Sequence, residues 1–444
     1  MINGFTADAK VELPQHVAAL IARRQKVMGS AYRLFYDSPV DLVKGKGVWL
    51  YDTFGRAYLD MYNNVSCVGH SHPAVVEAIV RQAGELNTHT RYLNESVIGY
   101  AEQLVSTFPE ALSNVVFTCT GSEANDLALR IAKKCTGGSG IIVTENAYHG
   151  ITEAVARISP SLGASMPLGS NVRTVAVGRT QAERQQFANR VQIAADDLKR
   201  HGVQPAALII DTIFASDGVY ADPVGFLAPA MEVIRREGGI FIADEVQAGF
   251  GRTGEAMWGF SRHQLVPDLV TLGKPMGNGY PIAGVVSSSA LMDEFGRDVR
   301  YFNTYGGTPV ACAAAAAVLK VIETEGLIEN AKRVGSVLDW GLRQLARQFD
   351  LIGEIRGVGL FIGVDVVDAG TRSPAPALAS RIVNLLRQNG ILISASGPAG
   401  HVLKIRPPLV LKEDEAAMFV SALGDILHAL TQNSAQTTGD RGLV

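Results

Sequence analysis

Two segments of this chain end an apolar run in a side chain able to do chemistry. In Gly239-Ile240-Phe241-Ile242-Ala243-Asp244-Glu245 the run ends in acid. In Thr271-Leu272-Gly273-Lys274-Pro275-Met276-Gly277-Asn278-Gly279 it ends in a lysine among glycines. A lysine in a glycine-rich loop is ordinarily solvated. A strand that delivers an acid at its carboxyl end, followed by one that delivers a lysine, meets the needs of pyridoxal 5'-phosphate (PLP). The lysine amine condenses with the cofactor aldehyde, and the acid faces the pyridine nitrogen and keeps it protonated, so that the ring accepts an electron pair. Lys274 and Asp244 are therefore the catalytic candidates.

A third segment, Phe117-Thr118-Cys119-Thr120-Gly121-Ser122-Glu123, passes from a strand through Gly-Ser into a helix. Free N–H groups at the helix start, the helix dipole and the Ser122 hydroxyl suit an anion such as a cofactor phosphate; a plain helix cap accounts for the same residues. Tyr148, in Asn146-Ala147-Tyr148-His149-Gly150, also follows a strand and is placed to stack on a flat ring, although ordinary packing explains a Tyr-His pair equally well. The same holds for His70.

The elements that must position these residues are short apolar strands separated by helices. Strands are predicted at 115–117, 141–143, 207–210, 240–242, 269–271 and 284–286, a pattern that implies a mainly parallel sheet covered on both faces. Ligands bind such sheets beyond the carboxyl ends of the strands, where Asp244 and Lys274 fall. Residues 1–60 read as an N-terminal helix and short strands, and 61–310 as a large domain. Residues 311–435 read as a smaller α+β C-terminal domain with a strand over 354–364. The tail, 436–444, is polar from Thr431 onward and expected to be loosely held.

With 444 residues, 47% hydrophobic and 19% charged, the chain can bury a large core, and its net charge of -3 gives no reason to expect nucleic acid or an anionic membrane as partner. The four cysteines, Cys67, Cys119, Cys135 and Cys312, lack metal-site spacing and read as buried thiols in a reducing compartment. Asp8, Lys10 and Glu12 near the start argue against a signal peptide, and no apolar run is long enough to span a membrane. The expectation is a cytoplasmic enzyme without a metal.

Taken together, the segments resemble the class III branch of the fold type I PLP enzymes. The motifs are Gly121-Ser122-Glu123-Ala124-Asn125, Tyr148-His149-Gly150, Asp244-Glu245-Val246-Gln247-Ala248-Gly249-Phe250-Gly251-Arg252-Thr253-Gly254 and Lys274, and the likeness runs from Gly69-His70-Ser71-His72-Pro73 to Pro407-Pro408-Leu409. The resemblance implies an α/β fold: a large domain built on a mainly parallel seven-stranded sheet, with a smaller α+β C-terminal domain. It also implies that Lys274 holds PLP, Asp244 pairs with the ring nitrogen, Gln247 lies near the phenolic oxygen, Tyr148 stacks on the ring, and Gly121 and Ser122 hold the phosphate. Thr304 would reach the phosphate bound in a second subunit, which implies a homodimer with shared sites and a small-molecule amine substrate.

The chain departs from the aminotransferase pattern at two positions. Many members keep an arginine fork for a substrate carboxylate, masked by a glutamate; here those positions read Lys404 and Ser216. Lysine cannot supply the bidentate geometry of arginine, although Arg406 stands two residues away. The segments around 273–279, 301–307, 355–363 and 391–398 resemble the ethanolamine-phosphate phospho-lyase subgroup. That subgroup removes phosphate and ammonia from a phosphorylated amino alcohol; the alternative is an ω- or alanine–glyoxylate-type aminotransferase. Candidates to receive a substrate phosphate are Lys404, Arg406, Arg91 and Arg33.

Overall fold

The computed structural model describes residues 4–6 and 12–439; Asp8, Lys10 and the end of the tail lie outside the described residues. After the helix Gln15–Met28, strands β1 (Leu42–Lys46), β2 (Trp49–Asp52) and β3 (Ala57–Asp60) form an antiparallel meander. Its second turn is held by Asp52, whose Oδ1 accepts from the N–H groups of Phe54 and Arg56, while Gly55 takes the left-handed backbone.

The large sheet contains β4 (Asn114–Thr118), β5 (Gly140–Thr144), β6 (Val172–Val175), β7 (Pro205–Asp211), β8 (Ile240–Asp244), β9 (Leu269–Leu272) and β10 (Ala283–Ser287), in the order β4-β10-β9-β8-β7-β5-β6. β10 runs antiparallel to both neighbours, and the pairs β9–β8, β8–β7, β7–β5 and β5–β6 are parallel. Six of the seven strands match the predicted segments. β6 is an edge strand whose two central residues are less buried than Val172 and Val175, so it lacks the continuous apolar run that marks the others. Register aligns Asp211 with Asp244 and Asp244 with Thr271, so the carboxyl ends of β7, β8 and β9 open on one edge.

The predicted strand over 354–364 is instead a hairpin of β11 (Ile352–Val358) and β12 (Phe361–Val366). Gly359 turns it with φ 56°, and a Cβ there would lie 2.4 Å from the Thr253 backbone, so the turn seats directly on the large domain. β13 (Ile391–Leu392) pairs in parallel with β3, joining the N-terminal meander to the C-terminal region. β14 (Ser394–Ser396) and β15 (Val402–Ile405) complete the small sheet, ordered β11-β12-β15-β14. The last helix, Glu413–Gly439, continues through residues read from sequence as a loose tail.

All four thiols are free, but only Cys67 and Cys312 are buried; Cys119 and Cys135 are partly exposed, a correction to the sequence reading. Among the described residues no helix is long and apolar enough to cross a membrane, and no cluster of side chains could hold a metal ion.

Candidate active site

Strand alternation sends Asp244 and Glu245 to opposite sides of β8. Glu245 turns into the protein, where it accepts from Thr212 Oγ1 and from the N–H groups of Gly259 and Phe260; burial pushes its carboxyl up to about 7. Asp244 faces the sheet edge. Its Oδ2 lies 2.7 Å from His149 Nδ1 and accepts from Asn125 Nδ2 at 3.0 Å, and its Oδ1 accepts from the Val246 N–H. His149 is thus no simple packing residue. Together with Asn125, which also donates to the His149 carbonyl, it fixes the carboxylate from segments far away in sequence.

Lys274 opens the turn that follows β9. The turn is pinned by Asn278, whose side chain accepts from the Val68 N–H and donates to the Gly69 carbonyl. Burial, then the Arg406 guanidinium, push the Lys274 amine down to about 8, against the opposing pull of Asp244 and Asp211. Capture of PLP by cofactor-free protein is therefore expected to quicken as pH rises toward about 8 and then level off, because only the uncharged amine attacks an aldehyde. Stopped-flow absorbance across pH checks this; a rate still climbing toward the ordinary lysine range of about 10.4 would contradict it.

Beside Lys274 and Asp244 is a cavity of about 170 Å³ lined also by Gly121, Ser122, Tyr148 and Gln247. Gly121 and Ser122 begin the helix Gly121–Thr136, but its cap is Thr120, whose hydroxyl accepts from the Glu123 N–H. Ser122 Oγ instead accepts from the Ile151 N–H. The first N–H groups of the helix are left to face the cavity with its positive dipole end. Close approach is built in: a Cβ on Gly150 would lie 2.3 Å from Ser122 Oγ, and one on Gly121 would lie 3.0 Å from Val246. An acid held for a ring nitrogen, an amine of lowered pKa and a helix start at the far end fit PLP.

A second, mostly apolar cavity of about 480 Å³ meets the first at Lys274 and is walled by Tyr36, Tyr62 and Arg406. Lys404 and Arg406 are both buried, and both donate to Gln247 Oε1, Lys404 at 3.2 Å. Arg406 lies against the Tyr62 ring, 5.0 Å from its centroid, and donates through Nε to the Tyr62 carbonyl. The Tyr62 loop is in turn set by Asp60, which accepts from the Tyr62 and Asn63 N–H groups and pairs with His70 at 2.7 Å. Burial and Arg406 push the Lys404 amine well below the lysine range, with Asp211 pulling the other way.

Not every predicted residue gathers here. Arg33 is exposed and lines a separate cavity with Phe5 and Ile21; Arg91 is exposed and lies 3.9 Å over the Phe302 ring. Thr304 is exposed in the loop before the helix Pro309–Thr324. Within one chain the structure places Arg406 in the cavity with Lys274 and Lys404 against Gln247, which lines the smaller cavity, and leaves Arg33, Arg91 and Thr304 elsewhere.

The family model for class III aminotransferases matches residues 34–427. The chain belongs to the class III aminotransferase family. Its cofactor is accordingly PLP. This class III member is 37% identical to the Caenorhabditis elegans ethanolamine-phosphate phospho-lyase homolog 1, covering 92% of this chain and 93% of that one. It is also 37% identical to an alanine–glyoxylate aminotransferase 2-like protein of Drosophila melanogaster, over 93% of this chain and 87% of that one. Among solved structures it resembles an Arthrobacter phospholyase in complex with phosphoethanolamine, at 42% identity and a TM-score of 0.90, covering 92% of this chain and 99% of the other. A Virgibacillus transaminase follows the same fold at 26% identity and a TM-score of 0.83, covering 93% and 96%. The fold type I architecture expected from sequence is thus the fold of this class III protein.

Proposed function

We propose that this enzyme is a PLP-dependent phospho-lyase that eliminates phosphate from O-phosphoethanolamine, or a similar phosphorylated amine, and releases an enamine that one water hydrolyses to an aldehyde and ammonia. The observation that carries the reading is the buried pair Lys404 and Arg406, converging on Gln247, which lines the smaller cavity with Lys274, where amino-acid-handling members keep an arginine fork; Arg406 also lines the larger cavity. A guanidinium with an amine donor beside it, and no masking glutamate at Ser216, suit a leaving phosphate better than a carboxylate. The likeness to a phospho-lyase homologue and to a phospholyase bound to phosphoethanolamine supports it.

PLP, when bound, supplies an electron sink for the carbon bearing the substrate amine. Lys274 would hold PLP through its amine, and its lowered pKa suits it to take the proton from this carbon near neutral pH. Asp244, fixed by His149 and Asn125, would hold the proton on the ring nitrogen. Gly121 and Ser122 would hold the cofactor phosphate, Tyr148 would cover the ring, and Gln247 would orient the groups beside it. Lys404 and Arg406 meet the negative charge that grows on the departing phosphate, and burial keeps water from screening them.

The second reading, an aminotransferase, is favoured by Arg406, a buried guanidinium able to grip a carboxylate, and by relatives named as aminotransferases at equal identity. One incubation separates the two. With phosphoethanolamine and no keto acid, phosphate, ammonia and aldehyde are expected in equal amounts over many turnovers. An enzyme that stops after one turnover and recovers only on addition of pyruvate or glyoxylate is an aminotransferase.

We further propose a homodimer in the cytoplasm. Leu93 (95% exposed) and Tyr305 (72%) are bare apolar side chains in the segments that carry Arg91 and Thr304, which suits a contact with a second copy. Thr304 and Arg91 would serve the partner's site. Mixing Lys274→Ala chains with an inactive Thr304→Trp variant is expected to regain activity, as hybrid dimers restore one intact site; a fully active monomer in sedimentation would exclude the shared site.

A further inference from the structure

Apart from the lysine cavities, a crevice of about 520 Å³ separates the loop that follows β7 from the small sheet. Its large-domain wall carries Arg184 and Tyr220; the opposite wall carries Arg343 and Arg347 on the helix Leu327–Gln348 and Arg356 on β11. The Tyr220 ring is sandwiched between two guanidinium groups, Arg184 at 4.9 Å and Arg356 at 4.8 Å from its centroid.

The negative charges beside this crevice are largely spoken for. Asp222 pairs with Arg262 at 2.6 Å, Glu354 with Arg356 at 3.0 Å, and Asp339 with Arg343 at 2.7 Å through Nε alone. Arg356 is further neutralised by Asp365. Arg184 is different: it is only 3% exposed, and its donors go to the carbonyls of Gly178, Arg179 and Asp222. No carboxylate among the described residues pairs with it. Arg347, one helical turn beyond Arg343, reaches only the Gln344 side chain. Glu354 and Asp222 act on Arg184 only from a distance and are already paired with Arg356 and Arg262, so this buried guanidinium, bonded to carbonyls alone, can take an anion of its own.

We propose that this crevice is a second ligand site, for a small phosphate ester or diphosphate held between Arg184, Arg343 and Arg347. Planar forks aimed from both walls match phosphoryl oxygens, and the volume exceeds what one bare phosphate fills. The ligand would also clasp the two walls together. Arg356 donates to the Gly218 carbonyl at 2.9 Å, and in the small sheet it sits level with Gly363 and then Lys404. The crevice and the Lys404 cluster are thus the two ends of one row across the sheet.

The test is calorimetric titration of inorganic pyrophosphate into PLP-loaded enzyme, with citrate as the carboxylate comparison. Saturable binding is expected in the wild type and in Lys404→Met, where the catalytic cation is gone. Binding should weaken at least about tenfold in Arg343→Gln/Arg347→Gln, from the loss of two charge-assisted contacts. That double variant, altered only at exposed positions, should keep wild-type turnover without added anion and lose the pyrophosphate-induced rise in Tm. Equal affinity in the double variant, absence of binding in Lys404→Met, or a preference for citrate would each overturn the proposal.

Discussion

Lys274→Ala is expected to lower turnover by about 10⁴-fold or more while leaving a folded protein that still takes up PLP. The amine serves as both anchor and base, and each role alone is worth about 10²-fold or more. The remaining contacts are untouched by the change: the helix start at Gly121 and Ser122, and Asp244 with its two fixed partners. Phosphate release measured against the visible absorbance of the bound cofactor separates the two effects. Activity within about tenfold of wild type would remove Lys274 from the mechanism. Loss of PLP binding along with activity would mean that the cradle around Ser122 and Asp244 does not hold the cofactor without the covalent link.

Lys404→Met is expected to move activity and stability in opposite directions. Lys404 is buried, its partner Gln247 is neutral, and it lies beside Arg406; burial and that neighbour both push its amine far down. An amine whose charged form is disfavoured by burial and by Arg406 costs the fold stability at any pH below the ordinary lysine range, so removing it should hold or raise the Tm. The kcat/KM for phosphoethanolamine should fall about 10²- to 10³-fold, the usual cost of losing one preorganised group facing developing charge. Thermal melting and steady-state phosphate release on the same preparation provide the check. A fall in Tm together with unchanged kcat/KM would assign Lys404 to the fold and not to the reaction.

The parts of the site that lie along one strand and its exit were legible in the sequence. Asp244 ends an apolar run and Lys274 follows another, and parallel strands necessarily bring such ends to one edge. The contacts that fix Asp244 were not legible, because His149 and Asn125 reach it from other segments through packing that no local pattern encodes. Which residue caps the phosphate helix was not legible either: Thr120 and Ser122 are both good capping types, and only the backbone geometry distinguishes them. Charge marked Arg33 and Arg91 as candidates, and within one chain Arg33 lines a separate cavity while Arg91 lies over Phe302, a placement that no local pattern encodes. The hairpin at Gly359 read as one strand because its turn lacks polar residues; it packs on the Thr253 backbone instead of facing water.

The reversed direction of β10 has a consequence for how this protein tolerates changes of length. Parallel neighbours such as β7 and β8 are joined by long crossovers, whose closure entropy grows only slowly with added residues. β9 and β10 are antiparallel, and the chain between Leu272 and Ala283 returns directly, carrying Lys274 at its start and Asn278 as its fastener. A residue inserted between Lys274 and Asn278 has no slack to disappear into, and would shift the amine against a carboxylate that belongs to a different strand. Grafted sequences, new termini or fused domains therefore belong in the crossovers, whereas this short return tolerates replacement but not lengthening.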